Sequence, residues 1–292
     1  MSTAQSNYLD VVKNIEDFYT ENAVTVYCPG SDVNLKFKPM SVKQLKRFIE
    51  LQVATEKDEF GVIPGLKVIQ YINNVLYENC LEKNADVIWS LLVVDRDAAV
   101  VQLRADVKSV AEVTIPQQSG EAEPETENID LLLVVENIKS GKMAAKYKTR
   151  TKTLKFGTGS IKAKLSVPTI ENDDAVNKHF VSKIKPKLQK GKKHVEKDVE
   201  NILSQIYFLE LCKYVDTITV TKDKEESIID FTDHDKIDEN MMLLEKLPTK
   251  LVSELSDFIG EVKEYKDSIF YYTNSEDKEI PLNVDAALFT GI

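Results

Sequence analysis

Cysteine, histidine and long apolar runs are all scarce in this chain of 292 residues. Its three cysteines, Cys28, Cys80 and Cys212, are odd in number and widely spaced, and none forms a C-x-x-C pair. This spacing excludes a zinc knuckle or a redox pair built from sequence neighbours. Scattered thiols are typical of a reducing compartment, where they serve as small apolar residues. We therefore expect an intracellular protein.

The most apolar windows, residues 87–94 and 129–135, fall far short of the roughly 20 residues that a membrane-spanning helix needs. Residues 1–7 lack the basic segment and apolar stretch of a signal peptide. We expect a soluble chain with no membrane partner. The net charge of −10 disfavours a coating role on nucleic acid or anionic lipid, because both would repel the chain.

Motifs that would carry a reaction are missing as well. The glycine-containing run at 156–160 lacks the spacing and lysine of a phosphate-binding loop, which favours a hairpin turn. The three histidines are His179, His194 and His234. The first two lie among lysines, which disfavours a metal or a general base there. The third, His234, lies in a run of possible metal ligands at residues 232–235. A helix N-cap at Asp235 explains this run without a metal. We expect no enzymatic activity, no cofactor and no metal.

The residues that are present indicate an α+β protein in three parts. Residues 1–98 form a hairpin-helix unit, 99–170 a β-rich middle, and 171–292 a helical part. In the first part, alternating apolar residues at 23–28 and 33–37 flank a Pro-Gly turn, which predicts a β-hairpin.

Helices are predicted after the hairpin. Ser41 and Gln44 form a capping box, and Met40 before it can pack on Leu45. The apolar stripe predicted to face inward holds Leu45, Phe48, Ile49 and Val53. Two further helices are predicted over residues 66–81 and 87–92.

The middle and C-terminal parts alternate between strand and helix patterns. Predicted strands cover residues 100–113, 129–135, 144–156, 160–167, 215–220 and 227–231. The acidic, proline-containing residues 116–127 predict a mobile loop. Predicted helices run to about Lys187 from a cap at Asp173 or Asp174, and over residues 195–214, 237–247 and 250–265.

Two segments are candidate partner-binding surfaces. Residues 178–197 carry eight lysines and one glutamate. The residues of this segment predicted to contact a partner are Lys185, Lys187, Lys192 and Lys193. A solvated helix face, a dock for an acidic partner and a nucleic-acid site all remain open interpretations, although aromatic residues for base stacking are nearly absent. The apolar tail offers Leu282, Val284, Leu288 and Phe289, which pack either on the chain's own core or on a neighbouring subunit.

Residues 33–49 resemble the opening of baseplate hub and hub-assembly proteins of large contractile-tailed bacteriophages. In that family a hairpin leads into the first helix through a K-P-[MF]-[ST]-V step, which here is Lys38-Pro39-Met40-Ser41-Val42. Residues 243–259 are similar to the family's helix–LP–helix end. Some members carry a C-x-x-C zinc-ribbon-like turn, whereas Ser140-Gly141-Lys142 stands at that place here. Metal binding is therefore not carried over.

The resemblance covers about half of the chain and implies a structural subunit of a contractile-tail baseplate, at the hub or close to it. It implies other tail proteins as partners, a homo-oligomer or symmetric multi-copy assembly, and a place in the virion after assembly in the host cytoplasm. An assembly chaperone that leaves the particle is one alternative, and a nucleic-acid-binding module using residues 178–197 is another. In this view Phe37, Pro39 and Met40 join the lysines and the apolar tail as docking residues.

Overall fold

The computed structural model describes residues 3–55, 62–115, 125–184, 196–274 and 277–289. The chain forms two compact units: unit 1 combines Met1–Lys142 with Ile269–Ile292, and unit 2 is Met143–Ser268. Both units combine helices with small antiparallel sheets, so the predicted α+β class is confirmed. The division differs from the three consecutive parts that the sequence predicts, because the C-terminal segment belongs to the same unit as the N-terminal one.

Unit 1 begins with a helix, a hairpin and further helices. In chain order its elements are α1 (Thr3–Glu21), β1 (Val24–Cys28), β2 (Val33–Phe37), α2 (Val42–Thr55), α3 (Val62–Asn79), α4 (Val87–Ser90), α5 (Val93–Val107), β3 (Val110–Ile115), β4 (Glu125–Asp130) and α6 (Leu131–Ser140). β1 and β2 pair from Val24↔Phe37 to Cys28↔Val33, which confirms the predicted hairpin. The predicted helices over residues 66–81 and 87–92 correspond to α3 and the short α4.

The capping box predicted for α2 is present. The Ser41 backbone N–H donates to Gln44 Oε1 at 3.0 Å, and the Gln44 N–H donates to Ser41 Oγ at 3.3 Å. These two bonds satisfy donors that the start of a helix otherwise leaves without partners. Met40 and Leu45, on either side of the cap, are both buried, as the predicted contact between them requires. The start of α2 is therefore marked by local residues, and Gln44 is also held by the Asn79 side chain of α3, to which its Nε2 donates at 2.9 Å.

The buried face of α2 differs from the predicted one along one edge. Leu45 and Phe48 are buried as predicted, and Leu51 joins them. Ile49 and Val53 are 42% and 45% exposed, so the prediction that they face inward is wrong. Apolar residues occupy more of the α2 circumference than the core covers, and helical spacing alone does not show which stripe is buried.

Three segments that the sequence predicts as strands are helical in part: residues 100–113, 129–135 and 144–156, the last of which is helical over Ala145–Lys148. The strand predicted over residues 100–113 is wrong, because α5 covers its first part and β3 only its end. Every residue from 93 to 105 is buried. A helix that is buried on all sides has no solvent-exposed face to collect its polar residues, so its sequence lacks the helical period. The strand predicted over residues 129–135 is wrong from Leu131 onward, where α6 begins.

The predicted acidic loop at 116–127 is shorter than expected. β3 and β4 pair antiparallel from Val110↔Asp130 to Ile115↔Glu125, so the last three residues of the predicted loop belong to β4. Residues 116–124 lie outside the described residues. The sequence misplaces this strand because its carboxylates and asparagine are residue types that seldom occur in strands.

Unit 2 is built on an antiparallel sheet in the order β5-β6-β7-β8. In chain order its elements are α7 (Ala145–Lys148), β5 (Thr149–Phe156), β6 (Gly159–Ser166), α8 (Ile170–His179), α9 (Glu196–Cys212), β7 (Val215–Lys222), β8 (Glu225–Asp230), α10 (Ile237–Leu244) and α11 (Thr249–Asp267). Gly157 adopts a φ of +49° in the turn between β5 and β6, which glycine tolerates without strain. From β5, Lys152 pairs with Glu254 of α11 at 2.6 Å.

Two helix starts in unit 2 differ from the predicted ones. α8 is capped by Thr169, whose hydroxyl accepts a backbone N–H at 3.2 Å, so the prediction of Asp173 or Asp174 as the cap is wrong. Ahead of α10, the Asp233 carboxylate accepts from the Asp235 N–H at 3.2 Å. Asp233 therefore holds this turn, and the prediction of Asp235 as the N-cap is wrong.

The C-terminal segment packs into unit 1. It forms β9 (Tyr271–Thr273), β10 (Glu279–Pro281) and a 3₁₀ turn (Ala286–Phe289). The side chains of Leu282, Leu288 and Phe289 are buried. The Phe289 ring stacks on Phe48 of α2, with ring centroids 3.8 Å apart and planes 5° from parallel. The buried Arg104 of α5 donates from Nε to the Leu288 carbonyl oxygen at 2.8 Å.

Candidate docking surfaces

Most of the apolar residues predicted to contact a partner lie inside unit 1. The buried ones are Phe37, Met40, Leu282, Leu288 and Phe289. They form part of the core and therefore do not offer a free docking surface in this structure. For the tail, packing on the chain's own core is the alternative that the structure confirms. Pro39 and Val284 are half-buried.

The lysine-rich segment is described at residues 178–184 and, as the start of α9, at residues 196–197. Lys178 pairs with Asp174, one helical turn earlier on α8, at 2.6 Å. α8 ends at His179 and a π-helical turn, Phe180–Ile184, follows. Lys185, Lys187, Lys192 and Lys193 lie outside the described residues, so the three interpretations of this cluster stay open.

A surface that the sequence analysis missed lies on α1. Leu9, Val11, Ile15 and Phe18 are 58%, 55%, 50% and 59% exposed, and no side chain between Leu9 and Glu21 is buried. Val11, Ile15 and Phe18 follow one another at spacings of four and three, so they lie on one face of the helix. Val12 and Tyr19 widen this face. We call Val11, Val12, Ile15, Phe18 and Tyr19 the α1 face.

The α1 face has the character of a surface that another helix or sheet covers. Local bonds at the C-terminal end support the helix, since the Asn22 N–H and side-chain amide both donate to the Phe18 carbonyl, at 3.0 and 2.8 Å. Most of the stability of a protein helix nevertheless comes from packing its amphipathic face. Contiguous apolar surface on a protein marks sites of interaction.

A second exposed stripe lies on α2. Val42 is 79% exposed, and with Ile49 and Val53 it forms a row at spacings of seven and four residues. Lys46 lies in the same row between Val42 and Ile49, and it is exposed as well. We call Val42, Lys46, Ile49 and Val53 the α2 stripe. It is apolar like the α1 face but carries a positive charge within it.

Unit 2 contains a polar cleft of about 390 Å³ lined by residues of β6, α8 and the segment after β8. The Ser166 hydroxyl donates to the Asp216 carboxylate, which also pairs with Lys164 at 2.9 Å. His234 Nε2 lies 3.2 Å from Asn172 Oδ1. Serine and histidine are thus each engaged with other groups, and this arrangement is not that of a nucleophile with its general base.

The cysteines behave as small apolar residues. Cys28 and Cys212 are buried and free of disulfides, and burial raises the pKa of the Cys28 thiol. Burial likewise raises the pKa of the Cys212 thiol to about 12, so both are protonated at neutral pH. Among the described residues, no group of three or more histidine, cysteine or acidic side chains is placed to hold a metal ion. No described helix is long and apolar enough to cross a membrane.

No protein-family model, no curated protein and no solved structure matches this chain. Within the described part of the chain, the α1 face and the α2 stripe are exposed apolar helix surfaces that a partner can cover.

Proposed function

We propose that this chain is a structural subunit of a contractile bacteriophage tail baseplate, at or near the hub, that acts without catalysis through contacts with other polypeptides. The observation that carries the proposal is the α1 face, which presents adjacent exposed apolar side chains along one side of a helix. Such a face is stabilised when a partner covers it. Its partners in this proposal are other tail and baseplate proteins, and its place is the virion after assembly in the host cytoplasm.

The residues of the Lys38–Val42 step, which carries the family resemblance, also contribute to the fold. Lys38 donates its backbone N–H to the Asn79 carbonyl at 2.8 Å, Met40 is buried, and Ser41 caps α2. The step thus joins the hairpin to α2 and holds both against α3. These residues serve the fold of the hairpin-helix unit, and they leave α1 and the outer side of α2 for contacts with partners.

Mass spectrometry of purified tail particles tests the proposal. We expect the chain at a fixed ratio to the tail-tube protein, unchanged after washing at high salt. Host proteins carried through the same purification provide the background level. Absence from finished particles, with presence in assembly intermediates, would contradict the structural role and indicate an assembly chaperone instead.

A further inference from the structure

We infer that the α1 face of one copy of this chain docks on the α2 stripe of a second copy. This inference deepens the proposed function, since it names the chain itself as one of the partners. It rests on three observations about described residues: two exposed apolar helix surfaces, their opposite charges, and their matching lengths. The contact joins two different surfaces, so each copy offers one of them to each neighbour.

The charges on the two surfaces select this pairing. Between Leu9 and Glu21, α1 carries four carboxylates and one lysine. Glu16 and Glu21 border the α1 face on its two sides, and neither forms an ion pair with another described residue. Two copies of α1 would bring like charges together, which costs free energy. A basic partner surface is therefore favoured over α1 itself.

The α2 stripe has the complementary charge. Lys43 and Lys46 are exposed and form no ion pair within the described part of the chain. The neighbouring Arg47 pairs with Glu50 at 2.9 Å, so these two charges compensate each other. The free positive charges on α2 thus lie in the apolar row or beside it, where the carboxylates that border the α1 face can reach them.

The two surfaces are also similar in length. At 1.5 Å per residue, the α2 stripe extends over about 16 Å and the α1 face over about 12 Å. A contact of one helix with another is smaller than a standard interface of about 1,600 Å², so we expect a weak single contact. Because the two surfaces differ, successive copies join head to tail, and a closed ring would strengthen each contact through multiplicity.

The α1 face does not cover the α2 stripe of the same copy in this structure. The α1 face is exposed, which means that it does not cover α2 of the same copy. Only Asn22 and Ala23 separate α1 from β1, so little chain is free to fold α1 back. A second copy is accordingly the occupant that we infer, and the folded-back arrangement is an outcome that the experiment can recognise.

Cysteine cross-linking of the full-length chain tests the inference. Ile15→Cys and Ile49→Cys proteins are mixed, oxidised mildly, and analysed by peptide mass spectrometry. We expect a disulfide between the α1 peptide of one variant and the α2 peptide of the other, at least about tenfold above the wild-type protein and above either variant alone. Wild type controls for the native cysteines, of which Cys28 and Cys212 are buried.

A charge exchange sharpens the test. Lys43→Glu with Lys46→Glu in the Ile49→Cys protein should reduce the mixed cross-link about tenfold, and Glu16→Lys with Glu21→Lys in the Ile15→Cys partner should restore it. Lys83→Glu, at an exposed lysine outside both surfaces, is the matched control and should change nothing.

Each other outcome overturns the inference. Dimers of Ile15→Cys alone indicate that α1 pairs with α1. In a chain that carries both Ile15→Cys and Ile49→Cys, a disulfide formed only within monomers indicates that α1 folds back. Absence of any cross-link above wild type indicates that no second copy binds. If the chain is found in tail particles but the mixed cross-link does not form, only this inference is contradicted. If the mixed cross-link forms but the chain is absent from tail particles, only the baseplate role is contradicted.

Discussion

Phe48→Asp should unfold unit 1, while the same change at the next residue, Ile49→Asp, should leave it folded. Phe48 is fully buried. Its ring stacks on Phe289 with centroids 3.8 Å apart and meets the Tyr71 ring edge-on at 4.8 Å. A carboxylate at this position loses both contacts and is buried without a partner. We expect the free energy of unfolding to fall by about 4 kcal/mol or more.

Ile49→Asp is the matched control, because Ile49 is 42% exposed on the same helix. Its expected cost is below about 1 kcal/mol, as for other surface changes. Urea unfolding followed by circular dichroism measures both variants. Amide hydrogen exchange then shows whether Phe48→Asp loses protection within unit 1. This is expected because Phe48 packs on Phe289 in the core of that unit. Equal midpoints for the two variants would show that the buried face of α2 is assigned wrongly.

Arg104→Met should detach the C-terminal segment from α5 and the rest of unit 1. The Arg104 guanidinium is fully buried and donates to three backbone carbonyls: Leu288 at 2.8 Å, Lys108 at 2.5 Å and Val110 at 3.1 Å. Methionine fills a similar volume but leaves these acceptors without donors in the interior. We expect a loss of about 3 kcal/mol or more in the free energy of unfolding.

The loss should appear first at the C-terminal end. We expect faster amide exchange and earlier proteolytic cleavage within residues 277–289, because the Leu288 carbonyl loses its tether there. Arg47→Met removes an exposed arginine from an ion pair with Glu50 and should cost less than about 1 kcal/mol. Exchange in the C-terminal segment that stays at the wild-type rate would contradict the role of Arg104.

Local signals in the sequence predict the local structure well. The hairpin follows from alternation around a Pro-Gly turn, and the start of α2 follows from Ser41 and Gln44, whose hydrogen bonds join residues three apart. Neither feature depends on what packs against it. The caps of α8 and of the turn before α10 are not predicted correctly, because several aspartates and threonines adjacent in sequence compete for the same role.

Features that depend on distant residues were not predictable in the same way. α5 loses its helical period because it is buried on all sides, which the sequence cannot show before the fold is known. Phe289 and Phe18 are both apolar residues in short apolar segments, yet one lies in the core and the other is exposed. The sequence therefore leaves the tail open between the chain's own core and a neighbouring subunit, and it gives no prediction for α1, although the spacing of Val11, Ile15 and Phe18 is helical.

The amount of this chain in purified tail particles, compared between wild type and Ile15→Asp, tests the central claim most directly. Ile15 is exposed, so the variant should melt like wild type, but its new charge lies in the α1 face. Thr20→Asp places the same charge on the opposite side of α1 and serves as the control. We expect wild type and Thr20→Asp at equal levels in particles and Ile15→Asp reduced about tenfold. Ile15→Asp incorporated at the wild-type level would contradict the account.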